Sequence, residues 1–193
     1  MIPVTVITPS MPSRAAQLAE CIASVAAQTV TPAAHLISIS DPGTPNARHA
    51  AQQRNALLSA VTTTWVAALD DDDLYRPSYF RDLADTLGTD ANLVYSFPTA
   101  EPLPHVNVNG WSSQTLTSEL HSHNFICATV CVRAGVLRDV GGWPVDQEDG
   151  LFPGGTEFED HALLIRLAEA GAKFACVPVE NWVYRHGPWR YRK

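Results

Sequence analysis

Four consecutive aspartates, Asp70 to Asp73, close the apolar run Trp65-Val66-Ala67-Ala68-Leu69. A short apolar run of this kind reads as a buried strand. Four adjacent carboxylates repel one another and resist burial without a counter-charge. Hard divalent cations resolve such repulsion, and magnesium in particular is held by one or two carboxylates together with substrate phosphates. The strand therefore ends either in a metal–phosphate site at a sheet edge or in a solvated acidic turn that starts the next helix.

The surrounding pattern narrows the fold. Val4 to Thr8 is a β-branched run broken by Pro9, Ser10, Pro12 and Ser13. A helix follows Ser13, with Leu18, Cys21, Ile22 and Val25 on one face. Leu36 to Ile39 reads as a second strand ending at Asp41-Pro42-Gly43, and Ala50 to Val61 as a second helix. Trp65 to Leu69 is a third strand, Pro77 opens a helix that reaches Leu87, and Asn92 to Phe97 is a fourth strand. Alternating strands and helices mark a mainly parallel sheet flanked by helices, an α/β fold. Ligands of such sheets bind at the carboxyl ends of the strands, where Pro9-Ser10, Asp41 and the aspartates all fall.

The second half is less regular. Pro98 to His123 reads as a long loop or a weak hairpin, Phe125 to Val132 as a strand, and Gly141-Gly142-Trp143-Pro144 as a turn. Asp146 to Thr156 is Gly-rich and acidic, a candidate mobile loop. Glu157 to Ala170 reads as a helix with Phe158, Leu164, Ile165 and Ala168 at helical spacing, stopped by Gly171. Phe174 to Val179 is a last strand, and the chain closes beyond Tyr184-Arg185-His186.

The chain has 193 residues, room for one sizeable core and one domain. Its 13 Lys and Arg against 20 Asp and Glu give a net charge of −7, which argues against a general nucleic-acid groove. No run approaches the roughly 20 apolar residues of a membrane span, and the first residues lack signal-peptide character. Cys21, Cys127, Cys131 and Cys176 lie in apolar segments without zinc-ligand spacing, so reduced buried thiols and a cytoplasmic location are expected.

Val6-Ile7-Thr8-Pro9-Ser10, Gln53-Arg54-Asn55-Ala56, Leu69-Asp70-Asp71-Asp72-Asp73 with Pro77, Gly141-Gly142-Trp143, Glu159-Asp160 and His186 follow one another across nearly the whole chain. This ordered set resembles the inverting glycosyltransferases of family 2. The resemblance implies a GT-A fold in a single domain, 1–193. Residues 1–97 would form the nucleotide-sugar-binding half, and 98–193 the acceptor and catalytic-base half. It further implies a nucleoside-diphosphate sugar donor, with a UDP-sugar as the default, and a divalent metal, Mn2+ or Mg2+.

Residue by residue, the resemblance makes Asp72 a metal ligand and His186 a late metal ligand, with the pair His121/His123 as its rival. Asp70 or Asp71 would meet the ribose or the metal shell, Asp41 the nucleobase, and Arg54 the base and phosphates. Pro9, Ser10 and Arg14 would line the nucleotide site. Asp160 would be the catalytic base, taking the acceptor's proton. The bland alternatives are a helix cap for any one aspartate, an Asx turn at Asp41, surface arginines, and acids that merely complement a helix dipole at Glu159-Asp160. His35, His49, His105 and His161 carry no motif and are expected at the surface. The rival functions are a nucleotide-sugar-binding module without catalysis and a nucleotidyltransferase. The latter wants a Gly-rich loop near the start, where Pro9-Ser10-Met11-Pro12-Ser13 has no glycine. The short chain favours transfer of one sugar over processive polymerisation, and leaves the acceptor and oligomeric state open.

Overall fold

The computed structural model describes residues 2–40, 47–99, 105–145, 152, 155, 156 and 158–185. Seven strands form one sheet: β1 (Ile2–Ser10), β2 (Pro32–Ile39), β3 (Trp65–Ala68), β4 (Leu74–Tyr75), β5 (Leu93–Pro98), β6 (Val130–Arg133) and β7 (Phe174–Val183). The helices are α1 (Ala15–Ala26), α2 (Ala47–Leu58), α3 (Tyr79–Leu87), α4 (Ser113–Ser122), α5 (Ala134–Asp139) and α6 (Glu159–Glu169). The sheet order is β2-β1-β3-β6-β5-β7-β4. β2, β1 and β3 are parallel, as are β5 and β7, while β6 runs antiparallel to both of its neighbours and β4 antiparallel to β7.

Side-chain alternation explains the two faces. In β3, Trp65 and Ala67 enter one core and Val66 and Ala68 the other. In β1, Val4 and Val6 oppose Ile7; in β5, Val94 opposes Leu93 and Tyr95. Strands buried on both sides need this period of two, with a helix layer on each face. Cys21 and Val25 of α1 and Tyr79, Phe80 and Leu83 of α3 fill one core. Residues of α2, α4, α5 and α6 fill the other.

The aspartate turn forces the sheet to curl. Asp73 N–H donates to Asp70 O at 3.1 Å, a tight turn between β3 and β4. Yet β4 lies four places from β3 in the sheet order, about 19 Å away if the sheet were flat. A turn spans under about 7 Å, and the few extended residues beside it add about 10 Å. The chain closes that gap because the sheet bends back on itself. Tyr75 of β4 then donates its hydroxyl to Ala68 O of β3 at 3.2 Å.

Several expectations need correction. Ile22 of α1 is 40% exposed, because only Leu18, Cys21 and Val25 face the core. The stretch read as a loop or weak hairpin contains α4, capped by Ser112, whose Oγ accepts from Thr115 N at 3.1 Å. Its polar composition hid it, because only Leu116 and Leu120 are buried. β6 starts at Val130, and Phe125 and Ile126 are buried without belonging to a strand. α5 and the two-residue β4 gave no periodicity to read. In α6, Phe158 is exposed at the N-cap instead of on the buried face. His161 is buried and His35 and His49 half-buried, against the surface positions expected for them. Most of Asp146 to Thr156 lies outside the described residues, as do Asp41 and His186.

The Gly-Gly-Trp turn between α5 and α6 is built by one asparagine. Asn55 Nδ2 donates to Trp143 O at 2.8 Å, and Trp143 N–H donates to Asn55 Oδ1 at 2.7 Å. Gly142 sits at φ +76°, and a Cβ there would lie 2.4 Å from Asn55 Oδ1. Gly142→Ala should therefore lose about 1–3 kcal/mol of stability through backbone strain alone. It should lose more if Asn55 is pushed off Trp143. Urea unfolding of the two chains measures this directly.

Candidate active site

The parallel strands β2, β1 and β3 end on one edge, and α2 passes over it. Three consecutive residues of α2 fan out because helical neighbours are turned by about 100°. Gln53 Nε2 donates to Ser10 O at 3.0 Å, to Ser38 O at 3.1 Å and to Ser40 Oγ at 2.8 Å, tying the ends of β1 and β2 together. Asn55 holds the Gly142-Trp143 turn. Between them Arg54 points into the protein. Its Nη2 donates to Asp70 Oδ1 and its Nη1 to Glu159 Oε1, while Nε has no partner among the described residues. Burial opposes the guanidinium's charge, yet Asp70 and Glu159 together hold its pKa above the ordinary value.

The four aspartates have different partners. Asp71 is buried and accepts from Ser10 Oγ at 2.6 Å and from Arg14 Nη1 at 2.6 Å. Arg14 also reaches Asp72 Oδ2 at 3.2 Å. Asp73 Oδ1 accepts from Arg185 N at 3.0 Å, and burial, with Asp70 nearby, pushes its carboxyl well up. Arg185 Nε donates to Asp72 O at 2.5 Å, and Arg185 Nη1 pairs with Glu20 of α1. The last described residue of the chain thus straps down the aspartate turn.

Asp160 and Glu159 open α6 on the opposite side of this edge. Glu159 is paired with Arg54, and its side chain is 10% exposed. Asp160 is half-buried, and its Oδ1 accepts from His161 N at 2.8 Å. Burial and then the Glu159 charge push the Asp160 carboxyl up to about 7. A carboxyl raised in this way accepts a proton more readily than an ordinary one. His161 fixes the start of α6 by placing Nε2 2.6 Å from Leu120 O at the end of α4. Cys127 lies in the segment between α4 and β6. Burial raises its thiol to about 12, with the Asp160 and Asp73 charges adding to the shift.

The structure brings Ser10, Arg14, Asp70, Asp71, Asp72 and, through Glu159, Asp160 to one edge, with Pro9 on the same strand end. Arg54 belongs to this group but is enclosed in it, 1% exposed. Sequence reasoning missed Arg185 and Glu159 as members of this charge network. Gln53 and Asn55 stood within a recognised motif, but nothing in the chain showed what they bond. The pair His121/His123 is divided: His121 meets Glu169 at 3.0 Å, and the His123 ring is 5.4 Å from that of Phe125.

A divalent metal can be tested against these donors. Among the described residues no three His, Cys, Asp or Glu are grouped to hold one. All four aspartates accept from protein donors, Asp72 from Arg14, and the side chains of Asp70 and Asp72 remain 29% and 14% exposed at the turn. One protein carboxylate completed by nucleotide phosphates is a normal arrangement for magnesium. The donor set fits a metal that arrives with a phosphate ligand and does not form a dedicated protein cage.

No protein-family model matches the chain, and no curated protein matches it in sequence. Solved structures do match in fold. S. aureus TarS 1–349 superposes with a TM-score of 0.66 at 14% identity, over 95% of this chain and 60% of that one. The same S. aureus protein has been solved with UDP and with UDP-GlcNAc. Glucosyl-3-phosphoglycerate synthase from Mycobacterium tuberculosis, solved with Mn2+, UDP and phosphoglyceric acid, gives 0.61 at 16% identity, over 96% of this chain and 71% of that one. The mannosyltransferase PcManGT from Pyrobaculum calidifontis, with GDP-Man and Mn2+, gives 0.62 at 14% identity, over 98% and 58%. The chain spans about three fifths of the TarS structure. It has the GT-A glycosyltransferase fold, with its helix-flanked sheet, as the sequence motifs implied.

The raised Asp160 carboxyl has a thermodynamic consequence. The folded chain holds this proton more tightly than the unfolded chain, so its contribution to stability falls as pH rises from about 4 to about 7. Asp160→Asn removes that loss. The variant should match the parent below about pH 4 and melt at a higher temperature above about pH 7. Thermal melts of both chains across this range, read as a difference, check the sign.

Proposed function

We propose that this protein is a metal-dependent inverting glycosyltransferase of the hexosyltransferase type. It would move one sugar from a nucleoside-diphosphate sugar to an acceptor hydroxyl or amine. One observation carries the reading: in a GT-A fold, Arg54 ties the aspartate turn at the strand exits to the helix start whose next residue, Asp160, is a half-buried carboxyl raised by its surroundings. The neighbours' UDP-, UDP-GlcNAc- and GDP-Man-bound structures support a nucleotide-sugar donor, with a UDP-sugar as the first choice to test.

The chemistry follows from the placement of charges. The acceptor oxygen or nitrogen attacks the anomeric carbon on the face opposite the diphosphate, and its proton passes to Asp160. The bond from the anomeric carbon to the diphosphate oxygen breaks, and the nucleoside diphosphate leaves with the electron pair. Configuration inverts because attack and departure lie on opposite faces. Asp72, with His186 beyond the described residues, would hold Mn2+ or Mg2+, which supplies charge stabilisation to the departing diphosphate. Ser10 and Arg14 hold Asp71 in place beside Asp72. Pro9, Ser10, Arg14, Asp70 and Asp71 would line the nucleotide site, and Asp41 would meet the base. Residues 1–97 then serve the donor and 98–193 the acceptor and base. No described helix is long and apolar enough to cross a membrane.

The test is a panel of UDP- and GDP-sugars with and without manganese, read first by thermal shift and then by donor turnover. Asp72→Asn should abolish the metal-dependent part of nucleotide binding, and His186→Ala should weaken manganese affinity while the fold survives. Asp160→Asn should leave donor affinity intact and lower turnover by roughly 10²–10⁴-fold. Nucleotide binding that ignores both metal and Asp72 would overturn the metal role. Wild-type turnover in Asp160→Asn would overturn the base.

A further inference from the structure

Two acids stand side by side at the start of α6, and the fold treats them differently. Glu159 lies against the Arg54 guanidinium, while Asp160 has no basic side chain bonded to it in the described structure. The same guanidinium holds Asp70 at the exit of β3. Arg54 is therefore the link between the aspartate turn and the helix that carries the proposed base. Its burial makes the link rigid: a guanidinium taken out of water is held by both carboxylates or not at all. The flanking residues reinforce it. Gln53 fixes α2 to the ends of β1 and β2, and Asn55 fixes it to the turn after α5.

We infer that Arg54 is a positioning residue that does not touch the donor: it sets the spacing between the aspartate turn and α6 and, by occupying Glu159, leaves Asp160 as the acid open to an acceptor. The inference deepens the transferase reading and rests on it for the word acceptor, but the clamp itself exists in the chain alone. The charged and titratable groups around Asp160 are Glu159 and His161 on α6, Arg54 on α2, Asp70 at the end of β3, and Cys127 between α4 and β6. Removing Glu159's charge takes a like charge from beside Asp160. Removing Arg54 takes away an opposite charge and leaves the buried Glu159 and the half-buried Asp70 without it. The two changes should therefore move Asp160 in opposite directions.

The experiment follows the Asp160 carboxyl by carbon-13 NMR in the chain without ligands, and measures UDP and GDP affinity with manganese by calorimetry and donor turnover against pH. Glu159→Gln should lower the midpoint of the Asp160 titration and carry the acid limb of turnover with it, with nucleotide affinity unchanged. Arg54→Gln should raise the midpoint and cost turnover roughly 10²-fold through misplacement, with nucleotide affinity within about twofold. Arg54→Lys should recover part of that turnover, because one ammonium can satisfy one carboxylate but not fork to two. If Arg54→Gln does not fold, Arg54→Lys and Glu159→Gln still decide the matter. A tenfold loss of nucleotide affinity in Arg54→Lys with the titration unmoved makes Arg54 a donor contact and overturns the inference. So does a Glu159→Gln chain as inactive as Asp160→Asn. If the titrations shift as stated but no donor in the panel binds, the clamp stands and the transferase reading falls.

Discussion

A single buried guanidinium holds this site together. Arg54 sits between Asp70 and Glu159, residues 89 positions apart in the sequence, and pairs its one positive charge with a carboxylate from each. Without it, the buried Glu159 carboxylate would lose its counter-charge, which is strongly destabilising for a charge taken out of water. Everything else at the site is arranged to make that pairing possible: β3 delivers Asp70, α6 delivers Glu159, and the hydrogen bonds of Gln53 and Asn55 hold α2 in register above both.

The concentration of acid has a cost in stability that makes sense only as function. Asp73 is buried with its carboxyl pushed up, and Asp160 is raised towards neutrality. A chain selected for stability alone would replace either with an amide. Partners drawn from distant parts of the chain offset the strain: Ser10 and Arg14 at Asp71, the Arg185 backbone at Asp73, and the Arg185 guanidinium bridging Asp72 O and Glu20. Such networks organise the site without a ligand, as the proposed stabilisation of a leaving diphosphate would require.

The curl of the sheet performs a second task. Because the turn from β3 leads straight to β4 at the far edge, the aspartates are held at both ends by the same sheet. β7 brings Arg185 back over them immediately after pairing Val183 with Leu74. A flat sheet would leave the turn at one edge and the chain's last described residues at the other.

The sequence by itself determined the strand–helix alternation in the first half, the two-faced burial of its strands, and the meeting of Ser10, Arg14 and the aspartates at one edge. Hydrophobic period and parallel connection handedness are local rules, and they act before any long-range contact forms. It also marked Gln53-Arg54-Asn55, Gly142-Trp143 and Glu159-Asp160 as motifs. Only the tertiary structure decided what those motifs do. Arg54 is turned inward to two acids, because its helix is pinned by bonds from Gln53 to residues 13 to 43 positions away and between Asn55 and Trp143, 88 positions away. α4, β4 and the strap through Arg185 were invisible for a similar reason: a short or polar element has too little periodicity of its own and is stabilised by partners elsewhere in the chain. Local pattern fixes which elements form; pairing of buried charges across long sequence separations fixes which residues stay open to a substrate.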